Sequence, residues 1–171
     1  FLVVQMVATA SRIATPFYII YVSSSMQLDG KTLGLLSLAF LGADTLSNLL
    51  WGYLGDKTGF RLVLVASLAA WVAATALLMI NHHPWAIFLA FFGLGGAQSG
   101  YMMAAQTMIL EFGSRAEMPM RIAISSTAEG IMASLGPLVG GFDADHYGFD
   151  VVFGASIGFL VVGLIILLTV V

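Results

Sequence analysis

The sequence predicts an all-α membrane protein of six spanning helices, arranged as two three-helix units of opposite orientation. Three observations carry this. Of its 171 residues, 60% are hydrophobic and 9% charged, where soluble domains carry about 25% charged residues. Six apolar stretches of membrane-crossing length are separated by short polar turns. Two of those turns share a residue pattern at a spacing of 89 residues.

A helix rises ~1.5 Å per residue and the hydrocarbon layer is ~30 Å thick, so a span needs ~20 mostly apolar residues. The first predicted span is Leu2–Val22, followed by the turn Gln27-Leu28-Asp29-Gly30-Lys31. Leu33–Leu54 is the second, closed by Gly55-Asp56-Lys57-Thr58-Gly59, and Arg61–Ile80 the third, closed by Asn81-His82-His83-Pro84. Trp85–Ile109 is the fourth, and Glu111 to Glu117 leads into the fifth, Arg121–Phe142. Asp143-Ala144-Asp145-His146-Tyr147-Gly148 then precedes the last, Val151–Val171. Gly, Pro, Asn and Asp supply the turn chemistry in these breaks. The chain begins at Phe1 with no signal-peptide pattern and stops inside an apolar run, so residues 1–171 read as one six-helix unit of a longer protein.

Composition also excludes. A net charge of −3 with no basic run offers no footprint for nucleic acid. Without cysteine there is no disulfide framework, thiolate metal site or thiol redox chemistry. No cofactor is implied. The lipid bilayer is the one partner that composition demands.

Orientation follows from the basic residues. Lys57, Arg61, Arg115 and Arg121 fall in or beside the second and fourth connections, and the other three hold only Lys31. By the positive-inside rule the second and fourth connections face the cytoplasm. Six spans then put both ends there too, in a plasma or inner membrane. Trp51 and Trp85 near span ends read as interfacial anchors, and Trp71 in mid-span as a lipid-facing or packing residue.

Gly52, Asp56, Gly59 and Phe60 recur as Gly141, Asp145, Gly148 and Phe149, each 89 residues on. Three spans separate the two turns, so the copies lie on opposite membrane faces. Lys57 and Arg61 in the cytoplasmic copy have His146 and Asp150 as counterparts outside. Such an inverted 3+3 repeat is the build of many carriers.

Gly52-Tyr53-Leu54-Gly55-Asp56-Lys57-Thr58-Gly59-Phe60-Arg61 resembles the Gly-x-Leu-x-Asp-Arg-x-Gly-Arg-Arg segment joining the second and third helices of each half of the major facilitator superfamily. Phe60 stands where that family has a basic residue. Gly136-Pro137-Leu138-Val139-Gly140-Gly141 resembles the Gly-Pro-x-x-Gly-Gly stretch of the fifth helix, prominent in antiporters, although Met132 replaces a further glycine. The resemblance implies one six-helix half of a secondary transporter moving a small solute by alternating access, with a missing six-helix half as partner. The fourth span lacks the arginine of a first half, which points to the second, C-terminal half. In the resembled family the first, second, fourth and fifth helices line the cavity.

Arg12, Asp44 and Glu129 lie inside spans, where ionisable groups are costly and mark function. At ~1.5 Å per residue, Arg12 and Asp44 are each ~16 Å from the outer span end and Glu129 ~12 Å from the inner. They share a central layer. Polar stripes extend them: Gln5, Thr9 and Thr15 with Arg12; Ser37 and Asn48 with Asp44; Gln98 and Tyr101; Ser125 with Glu129. Arg61–Ile80 holds only Ser67 and Thr75 within it and reads as lipid-facing.

A buried ion-pair cluster, Arg12 with Asp44 or Glu129, would be the structural explanation. One arginine cannot neutralise two carboxylates, so the third group must find a proton, an ion or a charged substrate. That favours proton coupling through Arg12, Asp44, Asn48, Gln98, Tyr101, Ser125 and Glu129. The alternative within the fold is a passive facilitator. From other classes come a structural membrane subunit, which would not need the midplane charges, and a rhomboid-like intramembrane protease. Gly154-Ala155-Ser156-Ile157-Gly158 matches the protease's Gly-x-Ser-x-Gly pattern, but His82, His83 and His146 all lie in connections, so no enzyme is expected. The same histidines have no closed metal-ligand spacing. Gly93, Gly95, Gly96 and Gly100 lack the Gly-Lys-Ser/Thr ending of a phosphate loop, and Gly96 with Gly100 makes a helix-contact pair instead.

Overall fold

Residues 2–25, 29–111 and 118–170 are described by a computed structural model, and among them the secondary structure is helical with no strand. Five helices are long and apolar enough to cross a bilayer: α3 (Gly30–Thr58), α4 (Phe60–Ile80), α5 (Pro84–Glu111), α6 (Met118–Tyr147) and α7 (Phe149–Val170). The first predicted span is not one helix. It comprises α1 (Leu2–Ala10), a 3₁₀ turn (Ser11–Ala14) and α2 (Phe17–Ser25). Pro16 explains the interruption, because it has no N–H for the Arg12 carbonyl and its ring crowds that carbonyl. The Thr15 N–H takes the Arg12 carbonyl instead, at 3.0 Å.

The turns are tighter than the sequence suggests. A single glycine separates α3 from α4, and another separates α6 from α7. Gly59 has φ +87° and Gly148 φ +85°, the two positive-φ residues of the described chain. Each ends its helix the same way: the Gly59 N–H donates to Gly55 O at 2.8 Å and the Gly148 N–H to Ala144 O at 3.1 Å. Asp56, Lys57, Asp143, Asp145 and His146 therefore stand on final helical turns, not in open connections. Apolar content located only the apolar stretch of each helix, and the helices run on past it. At the other end of α3, Asp29 Oδ1 accepts the Thr32 N–H at 2.8 Å as an N-cap. Hydrogen bonding from the Thr32 side chain and backbone holds the Asp29 carboxyl below its ordinary range. Residues 112–117, including Arg115, and Gln27-Leu28 lie outside the described residues.

Shifted by 89 residues, the bounds of α3 and α4 fall on those of α6 and α7 to within a residue. Packing runs α3 on α5, α5 on α4, α4 on α7, α7 on α1 and the 3₁₀ turn, and α6 on α7, α1 and the 3₁₀ turn. The core sits around α4, α5 and α7. Val63, Leu64, Leu68, Trp71 and Leu78 of α4 are fully buried, so α4 turns one face into the bundle, while Leu62, Ala69, Ala73 and Ile80 stay exposed on the other. Ser67 and Thr75 are buried on that same inward face. Trp71 packs edge-on against Tyr101, its Nε1–H 3.3 Å from the Tyr18 hydroxyl. Trp51 is likewise no free anchor: it donates to Gly96 O at 2.7 Å and lies against Gly100, where a Cβ would stand 2.7 Å from its ring. Gly95 lets the Phe40 carbonyl approach the α5 backbone. Trp85 is exposed.

The apolar surface is concentrated on α3 and α6. Leu38, Leu49 and Leu50 on one, and Leu135, Leu138 and Phe142 on the other, are all more than half exposed.

Candidate functional site

The side chains that chemistry can use converge where α1, α5 and α6 face one another. Gln5 and Thr9 are one helical turn apart on α1. Gln5 is buried, and its Nε2 donates to Ser125 Oγ and, at 2.8 Å, to Glu129 Oε1, so one amide bridges two positions of α6. The buried Tyr101 hydroxyl on α5 donates to the Gln5 carbonyl at 3.2 Å and lies 3.2 Å from Thr9 Oγ1. Ser125, Glu129 and Tyr101 of the predicted set are thus brought together by Gln5, whose central position the sequence did not reveal. Its place in the α1 polar stripe was the available signal.

Arg12 is half-buried on the 3₁₀ turn, and its Nη1 approaches Met102 Sδ at 3.9 Å. Tyr101, the residue before Met102, lies in the field of both Arg12 and Glu129. Arg12 reaches neither carboxylate, so no ion pair joins Arg12 to Asp44 or Glu129. Asp44, on α3, stands apart from this seam. Its backbone carbonyl accepts Asn48 Nδ2 at 2.9 Å and Ser47 Oγ at 3.3 Å, while its half-buried carboxylate has no hydrogen-bond partner among the described residues. Gln98 Nε2 is buried without a partner among the described residues.

Glu129 borders two clefts. One, of about 50 Å³, lies between α1 and α6 beside Gln5, Thr9 and Ser125. The other, of about 270 Å³, lies between α5 and α6 and includes Gln106, Ser125 and Ser126. A third of about 260 Å³ lies in the other half of the first span, among Thr15, Tyr18, Ser37, Phe40 and Phe91.

The two predicted motifs have separate places. At the α3–α4 turn, Lys57 bonds the Tyr53 hydroxyl and lies 4.4 Å from its ring centre, and Asp56 is exposed. Gly55 is the tight position, because a Cβ there would stand 2.5 Å from the Phe60 ring; Gly52 is roomier. Arg61 donates to Leu167 O at 3.2 Å, one of the last carbonyls of α7, where a cation also suits the helix dipole. On α6, Gly136, Gly140 and Gly141 face the broken first span, while Pro137 is exposed. A Cβ on Gly140 would stand 2.7 Å from the Phe17 ring and 3.1 Å from the Ile13 carbonyl, and Gly136 lies against the Ile13 backbone. Ser156, the serine of the Gly-x-Ser-x-Gly segment, donates to Ser11 O at 2.7 Å.

Apolar helices of spanning length around a polar seam, with ionisable groups set inside the bundle, define an integral membrane protein. The family follows from comparison: the model of the Major Facilitator Superfamily matches residues 1–171, and the chain belongs to that family. It is similar to the multidrug resistance protein MdtG of Salmonella choleraesuis (strain SC-B67) and of Klebsiella pneumoniae (strain 342), each 32% identical over 103 residues. Those matches cover 60% of this chain and 25% of the relatives' length.

Proposed function

We propose that this chain is one six-span half, the C-terminal one, of a proton-coupled secondary transporter working by alternating access in the inner membrane. The observation that carries the reading is Glu129. It is a half-buried carboxylate inside a spanning helix, held by Gln5, free of Arg12, and open to clefts on two sides. A group so placed can take a proton from one cleft and release it to another as the helices shift, which is the minimum a coupling site requires. Asp44 is the second candidate carrier of the proton. Arg12 sets the local field, and Asn48, Gln98, Tyr101 and Ser125 supply the polar path. The name of the MdtG relatives makes drugs the candidate solutes.

Two further observations support the architecture. The matched helix bounds and paired positive-φ glycines favour an inverted 3+3 repeat, in which the α3–α5 and α6–α1 contacts exchange roles. The exposed apolar faces of α3 and α6 suit burial against a second six-helix half. Asp56 then serves as a conformational latch at the cytoplasmic face, where both fragment ends also lie.

The test uses the complete protein in liposomes with an imposed pH gradient and a drug as solute. Glu129→Gln is expected to lower gradient-driven accumulation at least tenfold while leaving equilibrium exchange within about threefold, since exchange need not cycle the empty carrier. Accumulation unaltered in both Glu129→Gln and Asp44→Asn, at an unchanged pH optimum, would overturn proton coupling through this half. A wild type that equilibrates the drug without accumulating it would make the protein a passive facilitator.

A further inference from the structure

Glu129 sits on a wall between two unlike clefts. On the α1 side its Oε1 accepts the Gln5 amide, and Thr9 Oγ1, one turn further along that helix, is already engaged with the Tyr101 hydroxyl. Gln5 Oε1 is buried without a partner among the described residues, so solvent does not reach the amide from that side. The cleft of about 50 Å³ beside it adjoins a groove of about 360 Å³, the two sharing Met6, Ile124 and Ala128. Ile131 and Met132 extend the apolar wall of the groove, whose one hydroxyl is that of Thr127. Walls of that kind do not hold water. The α5 side is the opposite. Gln106, Ser125 and Ser126 stand around the cleft of about 270 Å³ that borders Glu129, and Gln106 and Ser126 are both exposed. A bulk water takes up about 30 Å³, so this cleft has room for several, each within reach of amide or hydroxyl groups. An ionised carboxylate accepts about four hydrogen bonds, and among the described residues Gln5 alone donates to Glu129. Water must supply the others, or the charge stays poorly solvated. Gln106 and Ile109 lie in the last turns of α5 and Ile122 in the first turns of α6. The cleft therefore follows α6 for about 10 Å from its opening turns to Glu129.

We propose that, in this arrangement, water reaches Glu129 from one side only: the α5–α6 cleft is the hydrated route to the carboxylate, Gln106 and Ser126 line it, and the α1–α6 groove stays dry. Neither Gln106 nor Ser126 has to touch the carboxylate; they hold the water that does. That protons travel the route rests on the reading of Glu129 as their carrier, whereas its hydration rests on the cleft alone. One-sided wetting suits a carrier, because a carboxylate wetted from both sides at once would pass protons without solute.

The chain has no cysteine, so a single thiol placed in it reports on its own surroundings. The test uses the complete protein in lipid membranes open on both sides, with any cysteine outside residues 1–171 replaced. Gln106→Cys and Ser126→Cys are expected to react with a charged methanethiosulfonate at least about tenfold faster than Ile124→Cys and Ile131→Cys, although all four positions are exposed. Equal rates, or faster reaction in the groove, overturn the proposal. A second arm reads the carboxylate itself. A water-soluble carbodiimide with an added amine should tag Glu129 in the parent, scored by peptide mass and lost in Glu129→Gln. A bulky maleimide adduct carried to completion on Ser126→Cys should lower that tagging at least about tenfold, and the same adduct on Ile131→Cys should leave it within about threefold. Glu129 untagged in the parent, or tagging blocked from Ile131 and not from Ser126, refutes the one-sided route. Neither arm reads transport, so each can fail while Glu129→Gln still abolishes accumulation, and succeed while it does not.

Discussion

The turns at Gly59 and Gly148 are the same piece of backbone in different chemical dress. Both end a helix of about thirty residues, both use one glycine at φ near +86°, and both send its N–H to the carbonyl four residues back. Their side chains diverge. The first carries Lys57 on Tyr53 and Arg61 on Leu167 O. The second carries His146, stacked on Phe142 with centroids 4.1 Å apart and bonded through Nδ1 to the Phe142 carbonyl at 2.9 Å, with Asp150 opening α7. Backbone turns repeat because the same helix-to-helix reversal must be made twice. Charges do not repeat, which the proposed opposed orientation accounts for, since a positive-inside bias would act on only one of the two turns.

The sharpest way to break this comparison is topological. Cysteines at the matched exposed positions Thr58 and Tyr147 are expected to label from opposite sides, with Tyr147→Cys alone reached by an impermeant thiol reagent on intact cells. Labelling of both from one side ends the inverted-repeat reading. A smaller and symmetric effect is expected from alanine at the glycines. A non-glycine residue in such a conformation costs about 1–3 kcal/mol, so Gly59→Ala and Gly148→Ala should lower unfolding stability in detergent by similar amounts. A loss at only one of them would show that the shared geometry is not shared strain. The smallest effect should separate the turns. Arg61→Ala removes an exposed charge-assisted contact worth about 0.5–1 kcal/mol, while Asp150→Ala, its counterpart, should fall within about 0.5 kcal/mol of the parent. Equal losses would mean that the α4–α7 tie at Leu167 has no special weight.

What could be read along the chain was local. Apolar runs marked the five long helices, because membrane-crossing length is a property of consecutive residues. Gly59 and Gly148 marked the turns, because a positive φ favours glycine whatever surrounds it. Basic residues suggested sidedness for the same reason: a charge acts where it stands. The seam was half legible. Tyr101, Ser125 and Glu129 stood out as polar residues inside spans, yet nothing in one dimension showed that Gln5 joins them, since that bond spans 124 residues. Pro16 lay in plain view and was absorbed into a continuous span, because apolar length outweighs one imino acid in a hydropathy argument. Only packing decided which face of α4 is buried, that Trp71 is interior and that Ser156 donates to the Ser11 carbonyl. In a chain apolar on nearly every face, the contrast that points a soluble helix inward is missing. Neighbouring helices choose the buried side through shape and a few hydrogen bonds, and those exist only once the bundle has formed.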